Sequence, residues 1–301
     1  MAPKINPLAF LLTLSFSALS FGAADAGVRT ASFRFGGLDV HALLDFSMPA
    51  KPTQLLLGIS PEDIRRYVPT DEVELQVTAF VVTMGGKTIL FDTGCGPGAG
   101  GQLQACLRAD GFSADDIDAV AITHMHFDHV GGLLAPDGAA AFPHAEILIA
   151  RDEYEWWLAP GRENDAPASQ RGMVAEAAAS VQPYAGKIRL FSYNEEILPG
   201  LVALAAPGHT WGHAVYRLQA GGGVLFIVGD LTHIAPVQMP RPEAAIVFDS
   251  DPIMAVETRK AYFARAAREN LPVAGMHLPF PGVGRISSAG DGFAFSATVH
   301  E

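Results

Sequence analysis

The chain runs to 301 residues, of which 49% are apolar and 17% charged; that is long enough to bury a large core and excludes a disordered chain. Its formal net charge is −12 and no Lys/Arg cluster interrupts that balance, so a phosphate backbone is repelled and nucleic acid is not an expected partner. No internal apolar run is long enough to span a bilayer, and no fixed-period repeat is present.

The N-terminus differs from the rest. Lys4 precedes an apolar run from Leu8 to Ala24, and Ala24-Asp25-Ala26 offers the small residues that a signal peptidase reads. Residues 1–26 are therefore expected to be an export signal, with one domain over 27–301 in the periplasm or outside the cell. A buried helix or membrane anchor is the alternative, weakened by the short run and by Ser15, Ser17 and Ser20. Removing 1–26 deletes one Lys and one Asp and leaves the charge at −12. Further on, β-branched residues over 73–83, the turn Gly85-Gly86 and the run 87–91 predict a hairpin ending in Asp92-Thr93-Gly94. A Gly-rich stretch over 94–101 leads into a helix over 102–110, and a short apolar strand follows over 119–123. After a histidine-rich loop come a strand over 146–150, helices over 152–158 and 168–181, and strands over 187–191, 201–205, 213–218 and 224–228. The spacing over 256–269 predicts an amphipathic helix, and 273–276 a buried strand ending at His277. Hairpins mixed with strand–helix units, without a linker, point to an α/β sandwich with sheets inside and helices outside. Cys95 and Cys106 are too few for a thiolate zinc site; two free thiols are the default and a disulfide the alternative.

The strongest chemical signal is Thr123-His124-Met125-His126-Phe127-Asp128-His129, running into Val130-Gly131-Gly132. In extended chain His124 and His126 point the same way, because side chains alternate with period two. Asp128 and His129, one residue apart, diverge and can address a second ion. Tetrahedral zinc wants a complete but uncrowded shell, so four such side chains favour two neighbouring metals over one. Without an ion they would leave unsatisfied polar atoms at a strand end. Three more candidates sit where apolar strands end: His209 in Pro207-Gly208-His209, Asp230 after Gly229, and His277. Each alone reads as readily as a turn residue. Together they gain meaning, since strand ends on one edge of a sheet converge on one site. Asp92 reads either as a turn cap or as the acceptor that fixes the tautomer of a ligand imidazole. His41, His144, His233 and His300 lack partner spacing and read as surface or core histidines.

The order of these residues resembles that of the metallo-β-lactamase superfamily through most of the sequence after residue 26: Asp92-Thr93-Gly94, the H-x-H-x-D-H run from His124 to His129, then His209, Asp230 and His277. The resemblance implies a four-layer αββα sandwich with mixed sheets and a metal site at strand ends. It implies His124, His126 and His209 on one metal, Asp128, His129 and His277 on the other, and Asp230 bridging both. His213 stands at a position the family does not use and is left to structural support. The segments 206–213, 255–261 and 277–282, together with Glu155-Trp156-Trp157-Leu158, look like the methyl parathion hydrolase branch, which hydrolyses organophosphate triesters; neighbouring branches open lactones. Phe127 stands where that branch often has proline, at a non-ligand position.

The implied activity is hydrolysis of a phosphotriester, lactone or carboxylic ester by a hydroxide shared between two divalent ions, with zinc the expected metal. Coordination of that kind brings the pKa of water toward ~7. Asp128 and Asp230 are the carboxylates implied in catalysis, Asp128 by orienting the nucleophile or passing a proton to the leaving group. Trp156, Trp157, Trp211 and Phe280 read either as core or as the lining of an apolar substrate pocket, with Trp211 and Phe280 better placed beside expected ligands. An iron-dependent oxidoreductase of the same fold and a β-lactamase are the alternatives. The chain has no room for an added flavin domain, and lactamase branches generally lack the bridging carboxylate. Relatives are often dimers, so a homodimer is compatible with the resemblance.

Overall fold

The computed structural model describes residues 27–165 and 171–298. The export signal expected over 1–26, the first residues of the helix expected from 168, and His300 lie outside the described residues.

Along the strand Val73–Met84, Ala79 and Val81 point to one side and Phe80, Val82 and Met84 to the other, as a period of two requires. Both sides are buried, which is why this strand reads as nearly continuous apolar sequence. It sits inside a seven-stranded sheet with the spatial order Thr30–Phe35, Leu38–Ala50, Val73–Met84, Lys87–Phe91, Ala119–Ala121, Glu146–Ala150 and Ile188–Phe191. Pairing is antiparallel as far as Lys87–Phe91 and parallel beyond it. The turn between Met84 and Lys87 uses Gly85 at φ 58° and Gly86 at φ 75°, the two left-handed residues that a tight hairpin of this twist needs.

A second seven-stranded sheet has the order Gly292–Ala297, Val283–Ala289, Pro272–Ala274, Gly223–Ile227, Ala214–Ala220, Leu201–Ala205 and Glu196–Leu198. Only Gly223–Ile227 and Pro272–Ala274 pair in parallel here. Phe80, Phe91, Leu148, Tyr216, Leu225 and Met276 belong to the layer between the two sheets. The outer side of the first sheet is covered by the helices Leu103–Ala109, Arg151–Leu158 and Arg171–Val181, through Leu107, Trp157 and Val174. The helix Pro252–Glu269 covers the second sheet through Phe263 and Ala266. The layers are therefore helix, sheet, sheet, helix, with mixed sheets, as the sequence predicts.

Pro252–Glu269 begins four residues before the predicted start. Asp251 accepts from the amides of Ile253 and Met254, and Pro252 occupies the first turn, where its missing N–H costs nothing. Asn270, left-handed at φ 49°, ends it. The hairpin of Thr30–Phe35 with Leu38–Ala50 goes beyond the sequence expectation, because His41, Asp45 and Pro49 blur its alternation. So does the pair Val283–Ala289 and Gly292–Ala297, which is rich in Gly, Ser and Ala. Cys95 and Cys106 are both buried and free, so the disulfide alternative does not hold. Among the described residues no helix is long and apolar enough to cross a membrane.

Candidate metal centre

Five strands deliver the site. Lys87–Phe91 ends immediately before Asp92, and Ala119–Ala121 ends three residues before His124. Leu201–Ala205, Gly223–Ile227 and Pro272–Ala274 lead to His209, Asp230 and His277. His126 keeps extended backbone, and with it His124 Nε2 comes within 3.0 Å of His126 Nδ1. His209 Nε2 approaches the same His126 Nδ1 at 3.0 Å. Phe127–Val130 then forms a short helical turn. Asp128 and His129 consequently do not diverge as extended chain would require. Asp128 Oδ2 lies 3.7 Å from His129 Nε2 and 3.5 Å from His277 Nε2. Asp230 stands between the two groups, with Oδ2 at 3.2 Å from His209 Nε2, 3.1 Å from His277 Nε2 and 3.6 Å from His124 Nε2. Its Oδ1 lies 3.3 Å from His129 Nε2. All seven residues singled out in the sequence thus meet in one place.

The hydrogen bonds around the site decide which lone pairs point inward. Asp92, buried and left-handed at φ 56°, accepts at 2.7 Å from Thr123 N, Thr123 Oγ1 and His129 Nδ1. It is therefore an imidazole acceptor as well as a turn residue. Having given its proton to Asp92, Thr123 Oγ1 can accept from His124 Nδ1 at 3.1 Å. His209 Nδ1 donates to Asp249 Oδ1 at 2.9 Å, and His277 Nδ1 to the backbone oxygen of Gln76 at 2.6 Å. Four imidazoles thus spend Nδ1–H on the surroundings and turn Nε2 toward one another and toward Asp230, where each can offer a lone pair to a bound cation. His129 Nε2 and Asp230 Oδ1 are buried without a hydrogen-bond partner among the described residues. Such a pair is costly in a buried place unless positive charge, a proton or a metal ion, lies between.

The electrostatics agree. Burial, and then the neighbouring imidazoles, push His124 and His126 well below the usual histidine range, so both offer neutral lone pairs. Burial alone would raise Asp230, but His129, His277, His124 and His233 hold it well below the usual carboxylate range. Burial would also lower His129, His209 and His277. Asp230, together with Asp128, Asp92 and Asp249, raises all three instead, His209 to about 9. The pocket demands positive charge. Ring nitrogens and carboxylate oxygens of His124, His126 and His209, of His124, His129 and Asp230, and of Asp128, His129 and His277 lie within 4.8 Å of one another in each group, close enough to share an ion.

His213 is not free to join them. Its Nδ1 donates to Ala206 O at 3.1 Å and its Nε2 accepts from Asp230 N at 3.0 Å, so it holds the bridging carboxylate's backbone. Burial and nearby His209 push it down to about 3. Gly229, at φ 53°, gives it room, since a Cβ there would fall 2.3 Å from His213 Nε2.

His233 departs from the sequence expectation. It is buried at the site, with Nε2 3.0 Å from Asp230 Oδ2 and its ring stacked on His277 at 4.6 Å. Its position three residues after Asp230 is the signal that could have found it. Trp157 departs as well: at 1% exposure it belongs to the outer helix layer and packs edge-on against His126 at 5.6 Å, so it does not line an open pocket. Trp211 is 43% exposed, and Phe280 is half-buried under the guanidinium of Arg29. His41 pairs with Asp110, and His144 is exposed. Asp45, Glu153 and Asp249 carry no motif and are visible only through their partners in the fold.

A family model described as the Metallo-beta-lactamase superfamily matches residues 73–261. Among solved structures, hydrolase AbOPH, described as being in the beta lactamase superfamily, superposes with a TM-score of 0.85 at 30% identity, over 90% of this chain and 98% of that one. AidC, described as a dizinc quorum-quenching lactonase, superposes with a TM-score of 0.84 over 91% of this chain and 99% of its own; at 24% identity this is a likeness of fold. The ribonuclease TTHA0252 of Thermus thermophilus is 29% identical over 176 residues, which are 56% of this chain and 38% of the ribonuclease. The chain spans only 26%, 21% and 42% of the first three curated relatives it matches.

Proposed function

From the premise that the chain belongs to the metallo-β-lactamase superfamily, we propose that it is a hydrolase of ester-type bonds in small molecules, working with two divalent ions, zinc foremost. In this reading His124, His126 and His209 would hold one ion and Asp128, His129 and His277 the other, with Asp230 available to both. The observation that carries it is the place of Asp230, whose Oδ2 lies 3.2 Å from His209 Nε2 while its Oδ1 lies 3.3 Å from His129 Nε2. One carboxylate faces both groups of imidazoles. Ions bound there supply an acidified water and a Lewis acid for the electrophile's oxygen.

The remaining work falls to the chain's own side chains. His213 and His233 orient Asp230, one through its backbone amide and the other at its Oδ2. The Asp128 side chain is 18% exposed and is the ligand carboxylate open to solvent, so it is placed to orient the attacking water and to carry that water's proton to the departing alkoxide. Trp211 and Phe280, each within three residues of a ligand, offer apolar surface to an acyl or aryl group.

Lactones and organophosphate triesters are the first substrates to consider. AidC is described as a lactonase, and the segments around His209 and His277 resemble the methyl parathion hydrolase branch. A ribonuclease among the relatives makes RNA the competing substrate, and the net charge of −12 speaks against it. The test is a panel of acyl-homoserine lactones, aryl esters, paraoxon-like triesters, a cephalosporin and single-stranded RNA, offered to the metal-loaded protein. Turnover of a lactone, ester or triester is expected, and cleavage of RNA alone would overturn the proposal.

A further inference from the structure

We infer that Glu153 is a positioning residue for the three-histidine cluster, its single buried carboxylate tying together the two loops that carry His124, His126 and His209. The inference rests on the metal reading above.

Glu153 lies in the first turn of Arg151–Leu158 and is 1% exposed. Its Oε1 accepts from Met125 N at 2.8 Å and from Trp157 Nε1 at 2.7 Å. Its Oε2 accepts from Thr210 Oγ1 at 2.8 Å and from Gly212 N at 2.9 Å. Met125 is the residue between His124 and His126, so its amide fixes the turn that aims both rings. Thr210 follows His209 directly. Trp157, the fourth donor, packs edge-on against the His126 ring. One carboxylate therefore reaches a chain neighbour or packing partner of each of the three histidines. The approach of the second loop is close: a Cβ at Gly212 would fall 2.2 Å from Glu153 N, so the loop rests directly on the helix.

The charge argues for more than packing. Three of the four donors are N–H groups and the fourth is a hydroxyl, so an ionised carboxylate can accept from all four, while burial pushes its pKa above the usual carboxylate range. None of the four is cationic, and a buried anion without a cation is costly. Cations in the adjacent cluster would offset that cost. A purely structural glutamate would affect stability and leave metal affinity untouched in any variant that folds.

The test uses the full chain as wild type, Glu153→Gln and Thr210→Val, each stripped of metal, checked for fold by far-UV circular dichroism, and titrated with Zn(II) against a chromophoric chelator. Glutamine keeps the shape but turns an NH2 toward one pair of donors; valine removes one donor and leaves the charge. Wild type is expected to take up two ions, and Glu153→Gln to bind one of them about 10–100-fold more weakly, with the other little changed. Thr210→Val should weaken the same ion by a smaller factor. Wild-type affinity for both ions in a folded Glu153→Gln protein overturns the inference and leaves the two-ion reading intact. A wild type that binds no metal overturns that reading instead. Should Glu153→Gln fail to fold, unchanged affinities in Thr210→Val decide against the inference.

Discussion

His124, His126 and His209 are 0%, 8% and 3% exposed, and behind them stand the carboxylates of Glu153 and Asp249, the latter backed by the buried guanidinium of Arg259 at 3.9 Å. The opposite half of the centre is built differently. His129 leans on Asp92, His277 leans on a backbone carbonyl of Gln76, and Asp128 is in part open to solvent. The closed half gathers three imidazoles from two loops and needs remote anions to hold them. The open half mixes a solvated carboxylate with two imidazoles and leaves a side for substrate. An ion in the closed half should therefore be the harder one to remove, because no ligand there can exchange with water without moving buried chain.

The largest effect should come from the residue common to both halves. Asp230→Ala is expected to lose at least one ion and to bring hydrolysis below detection, read by metal analysis and initial rates; a variant that keeps both ions and full activity would end the bridging role. Asp249→Ala strips His209 Nδ1 of its acceptor, and should weaken the closed-half ion about 10–100-fold in chelator competition while leaving the open half alone. Equal weakening of both ions would erase the distinction between them.

Asp45 tests the support of the open half. It accepts from the amides of Cys95 and Leu103, and so holds the loop that packs on Gly131 and Gly132 beyond His129. Burial pushes its carboxyl up to about 6 from 3.8. The folded chain then keeps a proton that the unfolded chain has lost, so stability should fall as pH rises from about 4 to about 6 and level off above. Against Asp45→Asn, which cannot titrate, denaturant melts should show the wild type losing up to about 3 kcal/mol across that window. Parallel curves for the two proteins would refute this. The smallest effect is expected from His213→Ala: about 2 kcal/mol of stability, from leaving Asp230 N without its acceptor, with both ions retained.

What could be read in the sequence was local. His124 to His129 sit within one loop, and the apolar strands that end at His209, Asp230 and His277 announce themselves by composition. The β-branched run over 73–83 and the spacing of Arg259, Phe263 and Ala266 likewise announced a buried strand and a covering helix. What could not be read depends on contacts across the fold. Glu153 meets Gly212 across 59 positions, and His209 meets Asp249 across 40. A lone carboxylate in a helix or loop carries no mark of such a partner. Trp156 and Trp157 show the same limit on a smaller scale. Both are aromatic, but only the fold decides that Trp157 turns inward to Glu153 and His126 while Trp156 packs edge-on against it under Arg162.

Metal content and hydrolysis of one purified sample, before and after chelation, bear most directly on the two-ion centre. Two divalent ions per chain are expected, with turnover of a lactone, ester or triester lost on chelation and regained when zinc is returned. A chain that carries no ion, or hydrolyses equally well after its metals are stripped, would contradict the reading.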